Sequence, residues 1–278
     1  MTVLQSIILA IVEGLTEFLP VSSTGHMVLA EGLMGMESDS YTKAFTVIIQ
    51  FGAMLSVLVL YWRRFFDFRS LPGMTQPVLR MLSRFRFYGL LLLGVLPAAI
   101  LGLLFEKYID HMLGSVLVVA LMLLLGGVFM LFVDKMFASS NSSKPTPRSA
   151  LIIGLYQCLA MVPGVSRSMA TIVGGMQQGL SRKAAAEFSF FLALPTMLGA
   201  TLLKIYKLYK EGGQEIFMQH MDTLLIGNIL AFIVALLAIK GFVSFLTKYG
   251  FRAFGYYRIA MGSLILILML CGIPLNLQ

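Results

Sequence analysis

The chain has 278 residues, 58% of them hydrophobic and only 12% charged. A soluble domain carries about 25% charge, so this composition and a mean hydropathy of +0.88 exclude a soluble globular protein and predict an all-α polytopic membrane protein. The net charge of +8 is the Lys and Arg excess expected of cytoplasmic loops, and without a soluble basic domain it does not suggest a nucleic-acid partner.

The chain opens on an apolar run from Val3 to Val12, with no basic leader and no small-residue cleavage site, so it does not read as a cleavable signal peptide. Residues 3–36 are broken by Pro, Gly and clustered hydroxyls and are expected to form a re-entrant helical hairpin, its irregular backbone satisfied by protein or a wet cavity. A charge at the bilayer centre costs roughly 2.5–3.5 kcal/mol, so polar residues in such a segment point to a use. Glu13 and Glu17 are four apart and share one face of a helix. In apolar surroundings the two carboxylates cannot both remain ionised unaided: one carries a proton, or a cation sits between them. A hard cation such as Mg²⁺ or Ca²⁺ suits carboxylates together with a substrate phosphate. His26, after Pro20-Val21-Ser22-Ser23-Thr24-Gly25, is a candidate general acid or base near neutral pH.

Three spans follow, at 44–62, 88–105 and 113–133, against the roughly 20 residues that a 30 Å hydrocarbon core requires. The loop at 63–87 carries Arg63, Arg64, Arg69, Arg80, Arg84 and Arg86 against only Asp67 and is expected on the cytoplasmic side. The loop with Glu106, Lys107, Asp110 and His111 is then outside, and the Ser- and Pro-rich linker from Ala138 to Pro147 inside.

Residues 149–180 are expected to form a second re-entrant hairpin, entering from the cytoplasm. In Pro163-Gly164-Val165-Ser166-Arg167-Ser168, Pro-Gly turns the chain and the amides after it open a helix, whose N-terminus attracts phosphate. Arg167 adds a planar fork matching phosphate oxygens, and Ser166, Ser168 and Thr171 add donors. Spans are expected at 186–206, 223–246 and 253–273. Arg182, Lys183 and Glu187 mark a cytoplasmic edge, while Lys204, Lys240 and Arg258 are expected to snorkel from span ends. His111 and His220 fall in outer loops without a role. Cys158 and Cys271 lack paired spacing and are expected to be small buried hydrophobes.

The halves also resemble each other. An offset of 143 places Pro20 on Pro163, Ser23 on Ser166, Phe45 on Phe188, Thr46 on Ser189 and Met54-Leu55 on Met197-Leu198. Gly14-Leu15-Thr16-Glu17 matches Gly154-Leu155-Tyr156-Gln157 at an offset of 140. The expected organisation is a first repeat at 1–137, a linker at 138–148 and a second repeat at 149–278. Each repeat has one hairpin and three spans, so an inverted-topology repeat follows.

These residues resemble the bacterial undecaprenyl pyrophosphate phosphatase family, also called bacitracin-resistance proteins, over nearly the whole chain. The family's Glu/Gln-x-x-x-Glu motif is present as Glu13-Gly14-Leu15-Thr16-Glu17, continuing through Ser22, Ser23, Thr24, Gly25 and His26. Its Pro-Gly-x-Ser-Arg-Ser-x-x-Thr motif is intact from Pro163 to Thr171. The resemblance implies hydrolysis of a C55 polyprenyl diphosphate to the monophosphate, which recycles the lipid carrier of peptidoglycan synthesis. It also implies a divalent cation and an active site open to the outer face of the cytoplasmic membrane. On this reading Glu13 and Glu17 hold the cation, and Arg167 binds phosphate and the charge developing in transfer. Ser22, Thr24, Gly164, Ser166, Ser168 and Thr171 complete the substrate site. Ser23 is the nucleophile with His26 as its base, or His26 activates water. The polyprenyl tail lies among membrane lipids in a groove between spans, and a homodimer is one assembly open to the chain. The rival reading is a polyprenyl-phosphate transporter or flippase, which would bind the same headgroup without cleaving it.

Overall fold

The fold is given by a computed structural model, which describes residues 1–36, 39–66, 77–105, 108, 109, 112, 115–137, 142, 144–210, 220–273 and 275. Among these residues there are helices and an isolated bridge between Ser142 and Leu180, but no strand. The helices are α1 (Val3–Thr16), α2 (Ser23–Leu33), α3 (Ser40–Leu60), α4 (Trp62–Phe66), α5 (Pro77–Leu104), α6 (Val116–Met136), α7 (Pro147–Cys158), α8 (Arg167–Gln177), α9 (Arg182–Lys210), α10 (Met221–Tyr249) and α11 (Arg252–Leu270). A 3₁₀ turn, Leu159–Met161, follows α7.

Six helices, α3, α5, α6, α9, α10 and α11, are long and apolar enough to cross a membrane, making this a multi-pass membrane protein. They fall where the apolar runs place them, with one large difference at an end. α5 begins at Pro77 instead of near 88, so part of the arginine-rich loop is helix. Asp67, Arg69, Glu106, Lys107, Asp110, His111, the side chains of Arg80 and Arg84, and most of the linker lie outside the described residues.

α1, α2, α7 and α8 have only 14, 11, 12 and 11 residues. Even α1 is about 21 Å long at 1.5 Å per residue, short of the core thickness. α1 and α7 both start on a capping box, at Thr2 with Gln5 and at Thr146 with Ser149. α2 and α8 are capped by Ser22 and Ser166. All these caps correspond at an offset of 144, so Ser22 falls on Ser166 and Ser23 on Arg167, one residue from the register that sequence identity suggests.

Packing is reciprocal between the halves. α1 lies on α10 and α7 on α5, while α3 pairs with α9 and α6 with α11. Small residues permit these approaches, as close packing in a membrane requires. A Cβ on Gly14 would stand 2.8 Å from the Ala231 carbonyl, and one on Gly127 or Gly255 would stand 2.9 Å from the other's carbonyl.

Three readings of single residues are corrected. Arg258 is fully buried instead of snorkelling, because backbone carbonyls surround its guanidinium. Cys158, at the end of α7, is only half-buried, and Cys271, just beyond α11, is exposed.

Candidate active site

α1 carries Glu13 inward and ends at Thr16, leaving Glu17 as its C-cap. The chain then turns through residues 18–22, held by Phe18, which packs edge-on against Phe190 at 5.2 Å. Ser22 caps α2 with φ 69°, and Ser23 is the helix's first residue. Across the cavity, Ser166 caps α8 with φ 74°, and Arg167 is that helix's first residue. Ser22 and Ser166 are the non-glycine residues with positive φ among those described. Such backbone costs on the order of 1–3 kcal/mol and persists where the surroundings over-determine it. Here those surroundings are two helix N-termini meeting at one cavity.

The cavity holds about 180 Å³ and is lined by Glu17, Ser22, Ser23, Thr24, Gly164, Ser166 and Arg167, with Gln50, Ala160 and Met197. Glu17 joins the two halves. Its Oε2 accepts a 2.6 Å hydrogen bond from the Ser23 hydroxyl, and its Oε1 accepts from Arg167 Nη2 at 3.2 Å in a buried ion pair. Arg167 Nη1 donates to the Ser189 carbonyl at 3.3 Å, while its buried Nε has no partner among the described residues. A buried unused N–H is costly, and here it belongs to the fork that sequence reasoning assigns to phosphate.

The other expected residues stand behind this wall. Ser168 Oγ donates to the Leu19 carbonyl at 2.7 Å and lies 3.0 Å from Ser166 Oγ, tying one turn to the other. Thr171 Oγ1 donates to the Arg167 carbonyl at 2.8 Å and shares a 2.6 Å hydrogen bond with Ser189 Oγ. His26 is buried, with Nδ1 2.8 Å from the Ser22 carbonyl and Nε2 2.7 Å from the Tyr257 hydroxyl. The group hydrogen-bonded to Ser23 Oγ is therefore Glu17, not His26. Glu13 is fully buried, and by hydrogen-bond geometry neither of its oxygens has a partner among the described residues.

Residues 6–264 match the family model described as bacitracin resistance protein BacA. The chain belongs to the BacA family. It is 67% identical over 279 residues to the undecaprenyl-diphosphatase of Porphyromonas gingivalis strain W83, covering 99% of each chain. It is 52% identical over 279 residues to the undecaprenyl-diphosphatase of Flavobacterium psychrophilum and 48% identical over 282 residues to that of Bdellovibrio bacteriovorus, in both cases over 100% of each chain.

In this BacA family member, no group of three or more His, Cys, Asp or Glu residues suited to a metal occurs among the described residues. The unpartnered Glu13 carboxylate, one helical turn from Glu17, does fit the looser mode of hard cations. These take one or two carboxylates and complete their shell with water and substrate phosphate. Sequence reasoning missed Gln50, Ala160 and Met197 in the cavity wall, the buried carboxylate of Glu31, and Tyr257 and Arg258 behind the turns. Gln50, an amide inside an apolar span, was the legible signal among them.

Proposed function

We propose that the chain is an undecaprenyl-diphosphatase, an integral membrane phosphatase that hydrolyses C55 polyprenyl diphosphate to the monophosphate and phosphate, and so recycles the lipid carrier of peptidoglycan synthesis. The observation that carries this reading is the 2.6 Å hydrogen bond from Ser23 to Glu17, made beside the Arg167 fork. A serine hydroxyl is a weak nucleophile until a base takes its proton, and Glu17 is the base in contact. The terminal phosphate sits between the N-termini of α2 and α8, whose positive dipole ends and amides favour an anion. Arg167, with its free Nε, binds phosphate oxygens and the charge that spreads over them in transfer.

Ser23 Oγ then forms a bond to the terminal phosphorus as the anhydride P–O bond breaks. The proton passes to Glu17, and polyprenyl monophosphate leaves with the electron pair. Glu17 gives that proton to the departing phosphate oxygen and is a carboxylate again. It then takes a proton from water as the water oxygen attacks the phosphoserine, and passes it to Ser23 Oγ as that P–O bond breaks and inorganic phosphate is released. His26 acts on this reading through the α2 N-terminus, where it holds the Ser22 carbonyl. Glu13 and Glu17 would hold Mg²⁺ or Ca²⁺, which would supply positive charge against the diphosphate. The reciprocal packing and matched caps support an inverted-topology repeat whose short helix pairs are re-entrant. The arginine-rich segment beside α4 and α5 supports a cytoplasmic loop there, with the cavity opening to the outer face of the bacterial cytoplasmic membrane. A transporter would need the phosphate-binding wall but has no use for a hydroxyl paired to a base.

The test is phosphate release from C55 diphosphate by purified protein in detergent, with and without EDTA. Release is expected to need the divalent cation and to fall by at least about 10³-fold in Ser23→Ala and in Arg167→Ala. Folded wild-type protein that releases nothing with added Mg²⁺ or Ca²⁺ would sink the phosphatase and favour transport of the intact lipid.

A further inference from the structure

Arg258 heads the fully buried side chains by size, and the reaction above leaves it without a task. It projects from α11 into the space behind both turns. Nη1 donates to the carbonyls of Pro20 at 3.3 Å and Val165 at 3.0 Å, and Nη2 to those of Gly164 at 2.7 Å and Met122 at 2.9 Å. Nε donates to the Leu123 carbonyl at 3.4 Å. One guanidinium thus joins the turn after α1, the turn before α8 and the middle of α6. Gly126 makes the room: a Cβ there would stand 2.9 Å from Arg258 Cζ.

Burying a cation is costly without an anion to pair it, and no carboxylate forms an ion pair with Arg258 among the described residues. Its charge is met by carbonyl dipoles alone, whereas that of Arg167 is met by Glu17. In a trans peptide the carbonyl and the following N–H point in opposite directions. Holding the carbonyls of Pro20 and Val165 therefore directs the amides of Val21 and Ser166 away from the guanidinium, while the Val165 amide, after the held Gly164 carbonyl, closes the turn by donating to the Val162 carbonyl at 3.2 Å. Gly164 and Ser166 are themselves part of the cavity wall. A fork with five N–H groups can do this for three segments at once; a lysine ammonium has only three donors at a single point.

We propose that Arg258 is a positioning residue for the phosphate cavity, clamping the two turns by their carbonyls so that both helix N-termini present donors and an uncompensated positive charge to the substrate's diphosphate. The proposal rests on the diphosphate reading of that cavity. Arg258 touches no reacting atom on this account, and its effect is expected in anion affinity as well as in stability.

Binding of inorganic diphosphate to purified full-length protein in detergent, followed by calorimetry and by ligand-induced thermal stabilisation, reads this without turnover. Folded Arg258→Lys is expected to bind diphosphate about tenfold or more weakly than wild type, with KM for C55 diphosphate rising in parallel. Should Arg258→Lys fail to fold, Gly126→Ala keeps the arginine but intrudes on its seat, and the same loss of affinity is expected. A folded variant of either kind that melts earlier yet binds diphosphate as wild type does would assign Arg258 to stability alone and overturn the proposal. So would wild-type protein that inorganic diphosphate does not bind. Wild-type protein that binds diphosphate but releases no phosphate from the lipid would instead count against the phosphatase reading and leave the clamp standing.

Discussion

Glu17 has its two carboxylate oxygens committed to different partners, a hydroxyl that loses its proton in the proposed reaction and a guanidinium that keeps all of its own. The Arg167 contact fixes the carboxylate's orientation, so that Oε2 faces Ser23 when phosphate arrives. Glu17→Gln preserves the shape but cannot take a proton, and the amide it introduces disturbs the contact with Arg167. We expect kcat to fall by about 10²–10⁴-fold. His26→Gln, by contrast, should keep kcat within about tenfold of wild type, because His26 is engaged by the Ser22 carbonyl and Tyr257 and not by Ser23. Steady-state kinetics on both variants decides it. A kcat that collapses in His26→Gln and survives in Glu17→Gln would make His26 the base.

Two eleven-residue helices, α2 and α8, do the work of presenting the site, and each starts on a serine held at positive φ. The side chain of Ser166 accepts from the Met169 amide at 3.3 Å, as an N-cap should, while its backbone occupies a region more natural to glycine. These two demands separate by substitution. Ser166→Ala loses the cap and keeps the unfavourable backbone, so it should destabilise by about 1–2 kcal/mol. Ser166→Gly loses the cap but relaxes the backbone and should cost only a few tenths of a kcal/mol. Thermal melts in detergent, taken without substrate, measure the order; a glycine variant less stable than the alanine variant would contradict it. The same geometry explains why the caps correspond one position away from the residue identities. Proline and glycine announce that the helices break, but a serine at positive φ looks like any other serine. Residue type pairs Ser23 with Ser166, whereas the caps pair Ser22 with Ser166.

The molecule as a whole was legible where physics leaves a compositional mark. Apolar runs of span length gave the six long helices, and Glu13, Glu17, Ser23 and Arg167 stood out because charges and hydroxyls are rare in such surroundings. Tyr257 and Arg258 did not stand out, since an aromatic and a basic residue near a span end also describe an ordinary interface belt, and only the packing of α11 on α6 places them behind the turns. Asp134 escaped for the same reason. It lies near the end of α6, yet it accepts from Arg182 Nη2 at 2.6 Å and Nε at 3.1 Å, and from the Phe251 amide at 2.7 Å. One carboxylate thereby joins the last long helix of the first half to the starts of α9 and α11. Gly250, with φ +72°, fits there because a Cβ would meet the Asp134 carboxylate. Removing that carboxylate leaves a partly buried guanidinium and a backbone amide without their acceptor, a loss of about 1–3 kcal/mol. Met122 and Leu123, where α6 meets the Arg258 clamp, are about 17 Å away along the same helix at 1.5 Å per residue. Asp134→Ala is therefore expected to melt earlier by that margin while phosphate release by the folded protein, assayed well below its melting temperature, stays within about threefold of wild type. A stable Asp134→Ala variant with severely reduced turnover would mean that the two ends of α6 are coupled, and that the junction at Asp134 sets the geometry of the cavity as well as holding the halves together.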